Sequence, residues 1–159
     1  MSGPASTELP AGFRSYVTNL GIKDDTDDFV VIAADAPVPT AAVFTRSAFA
    51  GPSVSLSRRH VADGTARAVV VVSKNANVAN GPAGAADAET LVAAVADRLD
   101  CPATEVLVAS TGVIGVALRM DRAAVAGRRV DIDAAAGVRG DLGAEIRRVN
   151  DPIMLLRGT

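Results

Sequence analysis

The chain has 159 residues, of which 49% are hydrophobic and 21% charged, and its net charge is −2 at neutral pH. That length and apolar share predict one sizeable core in a single domain, and the balance of charge gives no electrostatic reason to expect nucleic acid or an anionic membrane as a partner. No run approaches the roughly 20 apolar residues of a membrane span, and the amino terminus lacks the apolar stretch of a signal peptide, so a soluble, cytoplasmic protein is expected.

Residues 1–12 carry Ser, Gly, Thr and two prolines and read as a flexible arm, with one domain over 13–159 whose pattern degrades after about residue 127. Residues 13–20 (FRSYVTNL) alternate well enough for an edge strand. The acidic turn KDDTDD at 23–28 leads into 29–34 (FVVIAA), a buried strand closed by Asp35-Ala36-Pro37. Residues 41–46 (AAVFTR) read as a second strand, antiparallel to the first. Gly51-Pro52 marks a break. Residues 54–56 suit another short strand, and 58–64 a short helix ending at Gly64.

Residues 66–73 (ARAVVVVS), with four consecutive valines, are the most emphatic strand. They run into Lys74-Asn75-Ala76-Asn77-Val78-Ala79-Asn80-Gly81. Three asparagines among small residues predict side-chain-to-backbone bonding and bridge or left-handed conformations. Such a loop is either an ordinary polar connection or a rigid wall beside a pocket, with Asn75 and Asn77 as the wall candidates. Residues 82–99 form the clearest helix. Pro82 suits its first turn, and Ala88, Leu91, Val92, Val95 and Leu99 share a face opposite Asp87, Glu89, Asp97 and Arg98. Pro102 stops it. Residues 120–126 are helical, 130–148 have weak helical periodicity, and 153–156 (IMLL) are apolar.

The chain is organised around residues 105–115, EVLVASTGVIG. Val106, Leu107, Val108 and Ala109 make a short run that suits a strand buried on both faces. It opens into Ser110-Thr111-Gly112, which brings main-chain N–H groups to a sheet edge. Gly112 has no Cβ, so a ligand atom could approach the main chain there, and an oxyanion or phosphate fits such a turn. A plain strand-to-loop turn with a flexible glycine accounts for the same local pattern. The fold class is α/β, a mixed sheet of 29–34, 41–46, 66–73 and 106–110 layered with helices.

Cys101 is the single cysteine, so no internal disulfide forms, as in a reducing compartment. It lies between Asp100 and Pro102 with no adjacent base and reads as structural rather than catalytic. His60, the single histidine, reads as a surface residue. One Cys and one His do not make a conventional zinc site, and no metal or cofactor is expected.

Four landmarks stand in order: Ala11-Gly12-Phe13, Ala42-Val43-Phe44-Thr45-Arg46, Ser73-Lys74-Asn75-Ala76-Asn77, and Val108-Ala109-Ser110-Thr111-Gly112-Val113-Ile114-Gly115. With His60-Val61-Ala62-Asp63-Gly64 between the second and third, the series resembles the amino-terminal (α) portion of ornithine acetyltransferases, glutamate N-acetyltransferases of the arginine pathway. The resemblance covers roughly residues 12–120. It implies the α-chain half of that fold. It also implies a precursor cut before a threonine, whose new amino-terminal residue takes acetyl from N-acetylornithine and passes it to glutamate by a ping-pong acyl-enzyme route. The threonine's own α-amino group can act as base. Thr111 and Gly112 map onto the oxyanion hole.

The family's cleavage motif has no counterpart in these residues. Pro152-Ile153-Met154 is followed by Leu155-Leu156, and the amino group of Thr159 is locked in its peptide bond to Gly158. The resemblance therefore implies a nucleophile in a separate or missing β chain. The partner is then a β-like chain with an amino-terminal Thr, or a second copy through self-association, with a small-molecule amino acid as substrate. The alternative is a catalytically silent, truncated homologue that serves as a binding or assembly module in a biosynthetic cluster.

Overall fold

Four runs rich in β-branched residues pair side by side in chain order, β1-β2-β3-β4. The computed structural model in which they do so describes residues 9–128. The readings for most of the arm, for the periodicity of 130–148, for 153–156 and for Thr159 lie outside the described residues. Strand β1 (Phe13–Thr18) is antiparallel to β2 (Phe29–Pro39), with Tyr16 opposite Val31. Strand β2 is antiparallel to β3 (Thr65–Val72), with Val31 opposite Val70. Strand β3 is parallel to β4 (Val106–Ser110), with Val70 opposite Val108. The sheet is therefore mixed. A parallel pair needs a long crossover, and helix α2 (Gly81–Leu99) supplies it.

One face of the sheet carries the main core. Phe29, Val31, Val70, Val72, Val106 and Val108 are buried there with Leu91, Val92 and Val95 of α2. Each such side chain contributes roughly 1.5–3 kcal/mol by leaving water. Helix α3 (Met120–Arg128) joins the same core through Ala123 and Ala126. It approaches α2 closely because a Cβ on Gly127 would lie only 3.2 Å from the Ala94 Cβ. The small side chains that dominate the composition thus set helix spacing. Helix α2 ends at Asp100, left-handed at φ 51°, and Pro102 follows it.

Two strand readings are corrected. Residues 41–46 form no strand. Instead β2 continues through a bulge between Ala33 and Val38 and ends at Pro39 opposite Thr65. The Thr40 N–H then donates to the Gly64 carbonyl at 2.7 Å, turning the chain off the sheet. Both edges of β3 are by then occupied, by β2 and β4, so 41–46 has no ladder there to join. Residues 54–56 are not a strand either but lie within helix α1 (Pro52–His60). The Ser-Val-Ser-Leu-Ser alternation reads as period two, yet Pro52 is a helix-start residue. A 3-10 turn, Val61–Asp63, extends α1, and Gly64 closes it at φ 79°.

Helix α1 lies along the outer edge of β4. Ser57 Oγ donates to the Val108 carbonyl at 2.7 Å, and the Val108 N–H donates back to it at 2.8 Å. His60 Nδ1 is 2.8 Å from the Val106 carbonyl. His60 is therefore half-buried and structural, not a surface residue. Ser53 Oγ lies 2.7 Å from Ser110 Oγ. The spacing 53, 57, 60 is one helical face, and it takes the place of a fifth strand.

Candidate functional site

The parallel strands β3 and β4 end side by side, and the loops that leave them are laced together. The Thr111 N–H donates to the Val72 carbonyl at 3.0 Å, prolonging the ladder by one residue. Next, the Val113 N–H reaches Lys74 O at 3.2 Å, the Ala76 N–H reaches Val113 O at 3.0 Å, and the Gly115 N–H reaches Val78 O at 2.8 Å. Asn75 is bridged to both Thr111 and Val113. Ser110 Oγ donates to the Ala76 carbonyl at 2.9 Å, and Ser53 holds Ser110 from the helix side.

The asparagine loop adopts the conformations its composition predicts. Lys74, Asn77 and Ala79 are left-handed at φ 70°, 48° and 64°, and Asn80 sits in the bridge region at φ −98°, ψ 5°. Asn75 is 3% exposed and Asn77 1%, so their amides act inside the protein. Asn75 Nδ2 donates to the Val116 and Ala117 carbonyls at 3.1 and 3.2 Å, while its Oδ1 accepts from the Asn77 N–H at 2.8 Å. Asn77 Nδ2 donates to the Gly84 carbonyl at 2.8 Å, and its Oδ1 accepts from Asn80 Nδ2 at 3.0 Å. Asn75 thus fastens the segment after Gly112, and Asn77 fastens the loop to the first turn of α2.

With the Thr111 N–H in the ladder, the main-chain donor left at this turn is Gly112. Among the described residues the Gly112 N–H donates to no acceptor, and the residue is exposed. Its φ is +136°, and a Cβ there would lie 2.1 Å from the Lys74 carbonyl carbon and 2.4 Å from the Asn75 nitrogen. The glycine is therefore demanded by the neighbouring main chain on its Cβ side, which no ligand reaches. Beyond it Val113, Ile114 and Val116 are 55%, 56% and 51% exposed. A backbone donor beside an open apolar strip suits a polarised carbonyl on a small molecule.

Other features do not converge on this turn. A cleft of about 350 Å³ between α1 and the start of α2 is lined by Pro52, Leu56, Arg59, Asn80, Gly81 and Glu89, without Thr111 or Gly112. Burial pushes the Cys101 thiol up from its ordinary value, which disfavours the thiolate a nucleophile needs. Among the described residues no His, Cys, Asp and Glu group could hold a metal ion, and no helix is long and apolar enough to cross a membrane. Near the loops, the Lys74 and Thr26 hydrogen bonds to Asp24, led by Lys74, hold its carboxyl far below the usual carboxylate range. Sequence reasoning missed Ser53 and Ser57, whose helical spacing was the available signal, and the tie between Lys74 and the acidic turn, which no local pattern carries.

Comparison with known proteins gives a consistent answer. Residues 14–140 match the ArgJ family. The chain is 48% identical over 110 residues to the arginine biosynthesis bifunctional protein ArgJ 2 of Nostoc sp., covering 69% of this chain and 28% of the relative. It is 52% identical over 112 residues to the glutamate N-acetyltransferase Oat2 of Streptomyces clavuligerus, covering 70% and 28%. With ArgJ 2 of the same organism it shares 48% over 149 residues, covering 87% and 38%. The chain thus spans 28% to 38% of the length of these relatives. Two solved structures share the fold. The arginine biosynthesis bifunctional protein ArgJ of Bacillus halodurans has a TM-score of 0.73 at 31% identity, over 79% of this chain and 68% of that one. The ornithine acetyltransferase of Mycobacterium tuberculosis, complexed with ornithine, has 0.71 at 34%, over 80% and 75%. The chain belongs to the ArgJ family, as its amino-terminal, α-chain portion.

Proposed function

We propose that this chain forms the α-chain-like part of an N-acetyltransferase that moves acetyl from N-acetylornithine to glutamate. The observation that carries this reading is the N–H of the exposed residue Gly112, left undonated among the described residues and backed by the laced loops. The names of the relatives, a glutamate N-acetyltransferase and an ornithine acetyltransferase holding ornithine, support the substrate class. The nucleophile is the amino-terminal threonine of a β-like chain. Its Oγ attacks the acetyl carbonyl of N-acetylornithine, and its α-amino group takes the hydroxyl proton. The carbonyl oxygen becomes an oxyanion, and the Gly112 N–H, with the Thr111 hydroxyl, donates to it. Collapse breaks the amide bond, and the protonated α-amino group delivers its proton to the leaving ornithine amine. The glutamate amine then attacks the acyl-threonine by the same steps, which makes the cycle ping-pong. His60 is bonded to the Val106 carbonyl and takes no part. Neither a metal nor a cofactor is needed, and the setting is cytoplasmic.

The exposed Val113, Ile114 and Val116, beside the turn, support a partner that covers them. Co-purification from the native host, followed by intact-mass measurement, tests this directly. The expected result is a second chain beginning in Thr, acetylated on incubation with N-acetylornithine. An active preparation containing this chain alone would refute the assignment of the nucleophile.

A further inference from the structure

We propose that Lys74 is a positioning residue for the Gly112 donor, acting through its left-handed backbone; the claim rests on the oxyanion reading above. Lys74 has φ +70°, a conformation strained for a residue with a Cβ and routine for glycine. Strained residues persist where their surroundings over-determine them, and here the side chain supplies the restraint. Lys74 Nζ donates to Asp24 Oδ1 and to the Thr26 carbonyl, each at 2.6 Å, with Asp28 Oδ2 3.9 Å away. These acceptors are themselves fixed. Asn19 Nδ2 donates to the Asp24 and Thr26 carbonyls. The fully buried Asp28 carboxylate accepts from the Leu20 and Ile22 N–H groups at 2.6 and 3.0 Å. The Asp28 carbonyl accepts from the Ser73 N–H at 2.8 Å, so the acidic turn is moored to the end of β3 and grips Lys74 from there.

Gly112 stands on the main-chain side of Lys74. A Cβ on Gly112 would lie 2.1 Å from the Lys74 carbonyl carbon and 2.5 Å from its Cα, so the two backbones are in direct contact. The Val113 N–H bonded to Lys74 O at 3.2 Å ties the following peptide to the same residue. Turning Lys74 out of the left-handed region would move the surface on which Gly112 rests, and with it the N–H that meets the oxyanion. The ammonium charge is already matched by Asp24 and Asp28, so the effect passes through geometry and not through a field.

Lys74→Met removes the ties and keeps the strain, whereas Lys74→Gly removes both. In the full chain labelled with nitrogen-15, the Gly112 order parameter should fall from about 0.85 to below about 0.6 in Lys74→Met and recover in Lys74→Gly. With the chain assembled with its threonine-initiated partner and supplied with N-acetylornithine and glutamate, Lys74→Met should lower kcat about tenfold with KM within about twofold, and Lys74→Gly should recover most of the loss. Asp24→Asn weakens the same tie and serves if Lys74→Met does not fold. It should lower kcat in the wild-type background but not beside Lys74→Gly. An unchanged Gly112 order parameter and kcat in the variants that lose the tie would overturn the proposal. So would a Lys74→Gly enzyme as impaired as Lys74→Met, because the side chain itself would then be acting. A wild-type assembly without turnover would refute the oxyanion reading instead, while the order parameter of Gly112 still decides whether Lys74 seats it.

Discussion

Ser57 and Val108 exchange two hydrogen bonds, one in each direction, through a single hydroxyl: the oxygen donates at 2.7 Å to the Val108 carbonyl and accepts at 2.8 Å from its N–H. A side chain on a helix thereby satisfies both main-chain groups of one residue on an edge strand. Ser57 is fully buried, so water does not replace it readily. Ser57→Ala should therefore cost about 2–4 kcal/mol, since two buried polar groups lose their partner. Urea unfolding should show a lower midpoint with an unchanged slope. A loss below about 0.5 kcal/mol would mean that the edge is hydrated.

Gly112 sets the second prediction. Its φ of +136° and the 2.1 Å approach to the Lys74 carbonyl carbon leave no room for a side chain. Gly112→Val should displace the 74–75 main chain and abolish turnover in the assembled enzyme, beyond the ~10²–10³ expected for one lost oxyanion donor. Thr111→Ala should lower kcat more than it raises KM if the hydroxyl contributes. Wild-type turnover in a folded, assembled Gly112→Val enzyme would leave Thr111-Gly112 as a plain structural turn.

The tie between Lys74 and Asp24 has a pH signature. The Asp24 carboxyl is held far below its ordinary value of 3.8, chiefly by its hydrogen bond from Lys74. A carboxyl depressed in the folded state contributes stability that is complete above the unfolded pKa and drains as pH falls towards the folded one. Stability from this tie should be flat from pH 7 to about pH 5 and decline below about pH 4. Asp24→Asn should make the acid decline shallower, which thermal melts at stepped pH would show.

Gly84→Ala is expected to run against helix propensity. Alanine is better than glycine inside a helix by about 1 kcal/mol. At this position, however, a Cβ would lie 2.7 Å from Asn77 Oδ1 and 2.9 Å from the Asn80 Cβ. Asn77 is held by its bonds to Gly84 and Asn80 and has little space to retreat. The variant should melt below the wild type; a higher melting temperature would show that the asparagine loop yields.

Much of the fold was legible because its signals are local. The four valines of β3, the apolar face of α2 and the short run before Ser110 each announce a buried element by pattern alone. The end of that run at Ser110-Thr111-Gly112 was legible for the same reason. What failed depended on partners. Residues 41–46 have strand composition, but β3 had already been paired on both sides. The serines of 53–57 alternate like a strand, and only their long-range bonds to β4 reveal the helical face. Gly112 was read as room for a ligand, whereas its Cβ side is filled by Lys74, from a distant part of the chain.

The capping of β4 by Ser57 and His60 gives the sheet a direction of growth. An added strand would have to displace α1 to bond with Val106 and Val108, because the Val106 carbonyl and both outward main-chain groups of Val108 already have partners. At the opposite edge, β1 pairs with no further strand among the described residues. A chain that lengthens this sheet by backbone pairing is therefore not added beside β4, at the edge next to Gly112, unless α1 moves. A partner at the Gly112 turn then meets a helix and loops rather than a bare strand edge.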